Sequence, residues 1–108
     1  MARYDAAAVA IQSNSTSFVV YVCGGRKERT VLSSSAFLVP IQFTIDSENK
    51  LTSRELPPIT HRATPGGRYG LTANVDETTR RIYFFGGAMD GFFTTTYLNE
   101  ILVFNAGP

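Results

Sequence analysis

Two short apolar runs, each followed by a pair of glycines, dominate the hydrophobic pattern of the chain. The first run spans Phe18 to Cys23 and leads to Gly24-Gly25, and the second spans Ile82 to Phe85 and leads to Gly86-Gly87. Odd and even positions are both apolar, whereas a strand with one wet face alternates apolar and polar residues. The pattern therefore predicts two strands covered on both faces, with another sheet on each side because no helical pattern lies nearby.

A similar element precedes each of these strands, which indicates an internal repeat. Residues 3–11 and residues 68–75 both begin with Arg-Tyr and continue with small and aliphatic side chains. Polar turns at 12–16 and 76–79 then lead into the double-glycine strands, and both turns are rich in residues that satisfy turn backbones with their own side chains. The sequence predicts a β-hairpin, made twice.

Longer segments follow each predicted hairpin. Loops at 26–35 and 88–97 precede third strands at 37–44 and 98–105. Pro40 lies within the first of these third strands. Because proline donates no ladder hydrogen bond, it predicts an irregular or less fully paired strand at that point.

The first copy alone continues into a fourth segment. Residues 50–56 are charged and alternate weakly, which predicts an exposed outer strand protected by its charges. A connector rich in Pro and Gly follows at 57–67. The predicted organisation is two units of one all-β domain, residues 1–60 with four strands and residues 61–108 with three.

This order of elements resembles the kelch repeat, in which a first strand opens near an Arg, a second strand ends in Gly-Gly and a third strand ends in an aromatic residue. The resemblance covers nearly all of the chain and implies four-stranded antiparallel blades of a kelch-type β-propeller, about two blades here. The chain departs from the family in having no tryptophan, which the fourth strand usually carries. The repeat signature pairs Arg3, Tyr4, Tyr21, Gly24, Gly25 and Phe43 of the first copy with Arg68, Tyr69, Tyr83, Gly86, Gly87 and Phe104 of the second.

Two blades do not close a propeller ring. One face of each sheet would remain open, which is costly for strands as apolar as these. We therefore expect either a fragment of a longer propeller or a chain that completes its ring with other chains, as a homo-oligomer or within a larger assembly.

Composition narrows the function classes. The formal net charge of +1 gives no strong field for nucleic acid or an anionic membrane. The sequence predicts neither a bilayer-spanning apolar run nor a signal peptide. The chain has only one cysteine, Cys23, and one histidine, His61. So few potential ligands argue against a metal or cofactor site. Because Cys23 lies in an apolar run, we interpret it as a buried structural thiol rather than the nucleophile of a pair with His61. A lone thiol fits a reducing compartment, so an intracellular, cytoplasmic location is expected.

The candidate binding residues lie on three loops. In an antiparallel meander alternate loops share an edge, so the loops at 26–35, 57–67 and 88–97 should form one rim. Loops held by a rigid scaffold often carry binding residues, and exposed aromatic side chains near Arg are typical interface anchors. The candidate partner-binding residues are Arg26, Arg29, His61, Arg62, Phe92 and Phe93. The expected function is non-catalytic protein–protein interaction or scaffolding.

Other interpretations stay open. The charge run from Arg26 to Arg29 could serve solubility alone, and Phe92-Phe93 could pack onto the blade edge. The chain could instead be a structural subunit or fragment of a larger assembly. It could also be a piece of a propeller enzyme of the copper-oxidase or sugar-epimerase kind, although a copper site needs several converging His and Tyr ligands. Metal content would separate the enzyme alternative from the others.

Overall fold

The computed structural model describes residues 3–27, 30–31, 38–59, 68–90 and 93–107. Over these ranges the protein is all-β, with antiparallel sheets and no helix, and therefore no helix long and apolar enough to cross a membrane. The strands of the described ranges are β1 (Ala7–Asn14), β2 (Ser17–Cys23), β3 (Arg26–Lys27), β4 (Thr30–Val31), β5 (Leu38–Ile45), β6 (Leu51–Glu55), β7 (Thr72–Asp76), β8 (Arg81–Phe85), β9 (Ala88–Asp90), β10 (Thr95–Tyr97) and β11 (Ile101–Asn105).

Two sheets form the body of the described chain. Sheet 1 has four strands in the order β1-β2-β5-β6, and sheet 2 has three in the order β11-β8-β7. Both sheets are meanders, and two short hairpins, β3–β4 and β9–β10, follow the glycine pairs. The predicted hairpins β1–β2 and β7–β8 are confirmed. The described strands form open sheets, none of which closes on itself.

Both first strands begin later than the sequence predicts, at Ala7 and Thr72. The reason is a backbone kink at equivalent positions just before them. Asp5 has φ 56° and Gly70 has φ 69°, both in the left-handed region that interrupts an extended strand. Aspartate is among the few residues that tolerate this region, so the first copy adopts the same kink without a glycine.

Before each kink, a tyrosine makes an isolated two-way bridge to the start of the next hairpin. The backbone N of Tyr4 donates to the Arg26 carbonyl at 2.9 Å, and the Arg26 N donates back at 2.8 Å. In the second copy, Tyr69 and Ala88 exchange the same two bonds at 3.1 and 2.9 Å. The two copies therefore share one construction at this junction.

The second glycine of each pair is required by the same contact. Gly25 has φ 104° and Gly87 has φ 97°. A Cβ at Gly25 would lie 3.0 Å from the carbonyl oxygen of Tyr4, and a Cβ at Gly87 would lie 3.0 Å from that of Tyr69. Positive φ and close backbone approach are the two conditions under which only glycine fits well.

The pairing register of the third strands corrects one residue match between the two copies, that of Phe43 with Phe104. Phe104 lies opposite Ile82, which stands four residues before its first glycine. The equivalent residue of sheet 1 is Val20, and it lies opposite Ile41. Phe104 therefore corresponds to Ile41, while Phe43 lies two residues further along the same face. A match by residue type missed this because side chains two apart share a face.

The irregularity predicted at Pro40 is absent on the β2 side of β5, whereas on the other side the pairing with β6 starts only at Ile41, directly after Pro40. Pro40 lies opposite Tyr21 in an unbroken register with β2. Its carbonyl accepts a hydrogen bond from the backbone N of Leu56 at 2.9 Å, so its ring nitrogen also points away from β2. The β2–β5 ladder thus loses no donor. On the other side of β5, the fourth strand β6 is exposed throughout, which confirms the predicted outer strand.

Each sheet has two faces, named here by the residues of its central strand. Face A carries Tyr21 in sheet 1 and Tyr83 in sheet 2, and face B carries Val20 in sheet 1 and Ile82 in sheet 2. The core lies between face A of sheet 1 and face B of sheet 2. Its buried members are Val9, Ile11, Tyr21, Cys23 and Leu38 from sheet 1, with Leu71, Ile82 and Phe84 from the second copy.

Two backbone hydrogen bonds join the copies at the end of this core. The N of Gly25 donates to the carbonyl of Arg68 at 2.7 Å, and the N of Gly70 donates to the carbonyl of Asp5 at 2.9 Å. The first bond joins the glycine pair of the first copy to the segment before the second kink, and the second bond joins the two kinks. This junction positions the loops beyond it.

Candidate functional site

The structure describes two of the six candidate partner-binding residues, Arg26 and Phe93. The other four, Arg29, His61, Arg62 and Phe92, lie outside the described residues, as does most of the loops at 26–35 and 57–67. Arg26 is half-buried, whereas Phe93 is 90 % exposed.

The predicted loop at 88–97 forms a hairpin. β9 pairs with β10 so that Asp90 lies opposite Thr95 and Ala88 lies opposite Tyr97. Phe93 lies between the two strands in sequence, and the side chain of Tyr97 is 83 % exposed. Two aromatic side chains, those of Phe93 and Tyr97, are therefore presented to solvent at this hairpin.

Four side chains from different parts of the chain meet beside this hairpin, and we call them the rim cluster: Arg26, Tyr69, Asp90 and Thr95. Nη2 of Arg26 lies 2.8 Å from Oδ2 of Asp90. The hydroxyls of Tyr69 and Thr95 donate to Oδ1 of Asp90 at 2.7 and 3.0 Å. The guanidinium carbon of Arg26 also lies 4.2 Å from the centroid of the Tyr69 ring, which is a cation–π contact.

The cluster joins segments that are distant in sequence. Arg26 follows the first glycine pair, Tyr69 lies just beyond the connector, and Asp90 ends β9. Arg26 and Asp90 are 64 residues apart. An isolated surface ion pair contributes about 0–1 kcal/mol, but here the same carboxylate also accepts two hydroxyl donors, and such networks hold their members more firmly than a single pair.

The electrostatics of the cluster favour a fixed, charged aspartate. The pKa of the Asp90 carboxyl is lowered, chiefly by the hydrogen bond from Tyr69, with smaller contributions from the Thr95 hydroxyl and the Arg26 charge. The same hydrogen bond is the main reason that the pKa of Tyr69 is raised. A carboxylate with a lowered pKa and three donors is a weak proton acceptor. The arrangement therefore positions side chains rather than transferring protons.

Replacing Tyr69 by phenylalanine should raise the pKa of Asp90 toward the ordinary value of an aspartate, since it removes the largest cause of the shift. In the wild type, the stability contributed by Asp90 is present above the ordinary aspartate pKa and is lost as the pH falls through its lowered folded pKa. The variant should lose less stability in that acid range. The Asp90 pKa can be followed by carboxyl NMR, with Tyr97→Phe as the control that leaves it unchanged. Equal Asp90 pKa values in the wild type and Tyr69→Phe would contradict the assignment of this hydrogen bond.

The two signature arginines anchor strand ends. Nη1 of Arg3 donates to the carbonyl of Gly24 at 2.8 Å. Nη1 of the buried Arg68 lies 3.0 Å from Oε1 of Glu100, whose backbone carbonyl also accepts from Gly86 N at 3.2 Å. These arginines therefore fix the ends of the glycine-pair strands.

Cys23 is buried, and its thiol donates to the carbonyl of Tyr21 at 3.4 Å. Burial raises the pKa of the thiol to about 12, with a small opposing effect of the Arg3 charge. Because the thiolate is the reactive form, this thiol is not activated as a nucleophile. The interpretation of Cys23 as a buried structural thiol is confirmed, and His61 lies outside the described residues. The described part of the chain holds no group of three or more His, Cys, Asp or Glu side chains arranged to bind a metal ion.

The sequence predicts that Asp90, Thr95 and Tyr97 lie on the binding loop at 88–97, but it singles out none of them as a partner-binding residue, and it assigns Tyr69 only to the repeat signature. The one signal for the hairpin was the run of three threonines and a tyrosine at 94–97, because β-branched and aromatic residues favour strands. No local pattern pairs Asp90 with Arg26. The functional interpretation rests on this geometry and on the sequence patterns, since no protein-family model, no curated protein and no solved structure matches the chain.

Proposed function

We propose that this chain is a non-catalytic protein-interaction or scaffolding segment of a kelch-type β-propeller, and that it binds a protein partner through the rim formed by the loops at 26–35, 57–67 and 88–97. The propeller part of the proposal rests on the meander order of both sheets and on the matching junctions of the two copies. The binding part rests on the β9–β10 hairpin.

The observation that carries the proposed function is the pair of exposed aromatic side chains, Phe93 and Tyr97, beside the rim cluster. Interface energy concentrates on aromatic and arginine side chains surrounded by polar groups. The cluster ties the β9–β10 hairpin to β3, which directly follows the first glycine pair, through the Arg26–Asp90 pair. Such a fixed platform lowers the conformational entropy that binding would otherwise cost.

The chemistry of the cluster favours binding over catalysis. Asp90 is its acidic group, and all the donors described above hold it in the charged form. A protein surface with a basic or hydrogen-bonding group beside an apolar side chain would complement this platform. The apolar part would cover Phe93, and the donor would reach the partly exposed Asp90.

The double substitution Phe93→Ala and Tyr97→Ala tests the proposal. Proteins retained by the immobilised wild-type chain are identified by quantitative mass spectrometry, and the leading one is then purified for calorimetry. Removing both aromatic anchors should weaken its binding by roughly 1,000-fold, since each interface hot spot contributes roughly 2 kcal/mol and every 1.4 kcal/mol is a factor of ten. Chain stability should change little, because both side chains are largely exposed.

Leu51→Ala is the matched control. Leu51 is also an exposed apolar residue, but it begins β6 at the opposite end of the strands. The control should bind the partner as the wild type does. If the double variant and the control bind equally well, the rim does not bind the partner and the proposal fails.

A specific observation also favours the second candidate, a structural component of a larger assembly. Face A of sheet 2 exposes Phe85, Ile101 and Val103. Large apolar side chains that lie together on an open sheet face mark interaction surfaces.

A further inference from the structure

The interface inside the molecule is head-to-tail. Face A of sheet 1 packs on face B of sheet 2, so unlike faces of two equivalent units meet. The rings of Tyr21, on face A, and Phe104, on face B, lie 6.3 Å apart at an angle of 52°. In the described core no like faces are packed together.

The two faces outside this interface are again one of each kind. Face A of sheet 2 carries Phe85, Ile101 and Val103, which are 51 %, 65 % and 50 % exposed. In sheet 1 the residues equivalent to Phe85 and Ile101 are Cys23 and Leu38, and both are completely buried by sheet 2. Positions that are core in one unit are therefore surface in the other.

Face B of sheet 1 is also apolar. Val20, Val22 and Ile41 on this face are half-buried, and Val39, opposite Val22, is already buried. The rings of Phe18 and Phe43 stack on the same face with centroids 5.2 Å apart. Val20 and Val22 are the equivalents of Ile82 and Phe84, which sheet 1 buries in the internal interface. Face B is therefore apolar in both sheets, but only in sheet 2 does the internal interface cover it.

We propose that copies of this chain bind one another head-to-tail, with face A of sheet 2 of one copy packed on face B of sheet 1 of the next. The contact would repeat the internal interface between equivalent units and so continue an interface that the molecule already contains. Unlike faces make the contact heterologous, which generates rings when the rotation closes. The surface is separate from the rim and does not depend on the proposed rim function.

In sheet 2, two of the three strands, β8 and β11, supply the apolar contact. On β7, face A of sheet 2 carries Asn74 and Asp76 where sheet 1 carries Val9 and Ile11. Burying such polar groups without partners costs free energy. The apolar part of the surface therefore lies on β8 and β11, and it would meet the valines of β2 and the apolar residues of β5.

A two-variant complementation experiment tests the proposal. Val103→Lys places a charge on face A of sheet 2, and Val20→Lys places one on face B of sheet 1. Each variant retains one intact face. By sedimentation and light scattering, the wild type should exceed the 11.8 kDa of one chain as concentration rises, each variant alone should stay a monomer, and their equimolar mixture should give a species of two chains and nothing larger.

Circular dichroism checks that each variant is folded. Should Val20→Lys or Val103→Lys unfold the chain, Ile41→Lys and Ile101→Lys replace them, since Ile41 lies opposite Val20 on the same face and is only partly buried, and Ile101 lies on the same face as Val103 and is exposed. Ser47→Lys, in the turn between β5 and β6, is the charge control and should associate as the wild type does. The proposal is overturned by a wild type that stays monomeric at every concentration, by a single folded variant that still self-associates, or by a mixture that remains monomeric.

Discussion

Replacing Gly25 by alanine is expected to destabilise the protein by about 2–6 kcal/mol, the sum of backbone strain and overpacking. The backbone at Gly25 has φ 104°, which L-residues rarely adopt. The new methyl group would also lie 2.9 Å from Cβ of Ala6 and 3.0 Å from the carbonyl oxygen of Tyr4. That carbonyl accepts the bridging hydrogen bond from Arg26, so it has little freedom to move.

The variant Gly70→Ala separates the cost of backbone strain from the cost of overpacking. Gly70 also has positive φ, 69°, but a Cβ there would have no heavy atom within 4 Å. Its substitution should cost only the strain of a left-handed residue, about 1–2 kcal/mol. Urea unfolding followed by circular dichroism measures both variants. A loss for Gly25→Ala no larger than that for Gly70→Ala would show that the close approach to Tyr4 is not what requires glycine.

Ile82→Ala should lower the free energy of unfolding by about 2–5 kcal/mol, because it removes a fully buried side chain and leaves a cavity. Ile82 is completely inaccessible and packs between the two sheets from the centre of sheet 2. A chain of this size has a small core, so the loss is a large part of a typical total stability of roughly 5–15 kcal/mol. Thermal and urea unfolding at low protein concentration provide the measurement.

Ile101→Ala is the matched control for this substitution. It removes the same atoms from an adjacent strand of the same sheet, but Ile101 is 65 % exposed. Its effect should stay within about 0.5 kcal/mol. Similar losses for the two variants would mean that the core does not lie between the sheets as described.

The hairpins could be predicted from sequence because their signals are local. Two apolar runs that end in glycine pairs, each preceded by a polar turn, specify β1–β2 and β7–β8 without any knowledge of distant contacts. The outer strand β6 was also predictable, since charged residues protect a sheet edge. In each case the decisive residues are within a few positions of the element they define.

Features that depend on geometry were missed. The kink at Asp5 delays β1, and aspartate at positive φ has no distinctive local pattern. Pro40 was expected to disturb β5, but its effect depends on which neighbour its nitrogen faces, and only the register shows that. Phe104 was matched to Phe43 by residue type, whereas the pairing assigns it to Ile41.

The candidate site shows the same limit. Aromatic loop residues are common anchors, which makes Phe93 a candidate from the sequence alone, and Phe93 is exposed. Asp90 organises the rim cluster through partners 21, 64 and 5 residues away, namely Tyr69, Arg26 and Thr95. Long-range side-chain contacts leave no periodicity in a single sequence, so sequence patterns gave no means of predicting this network.

The meander order of sheet 1 has a consequence for synthesis on the ribosome. In the order β1-β2-β5-β6, every neighbour in the sheet is the next of these strands along the chain. Each ladder can therefore form as soon as its second strand emerges, and the longest connection to be closed within sheet 1 is the segment 24–37 between β2 and β5. We expect sheet 1 to assemble first and to serve as the template on which β7, β8 and β11 then condense as they leave the exit tunnel.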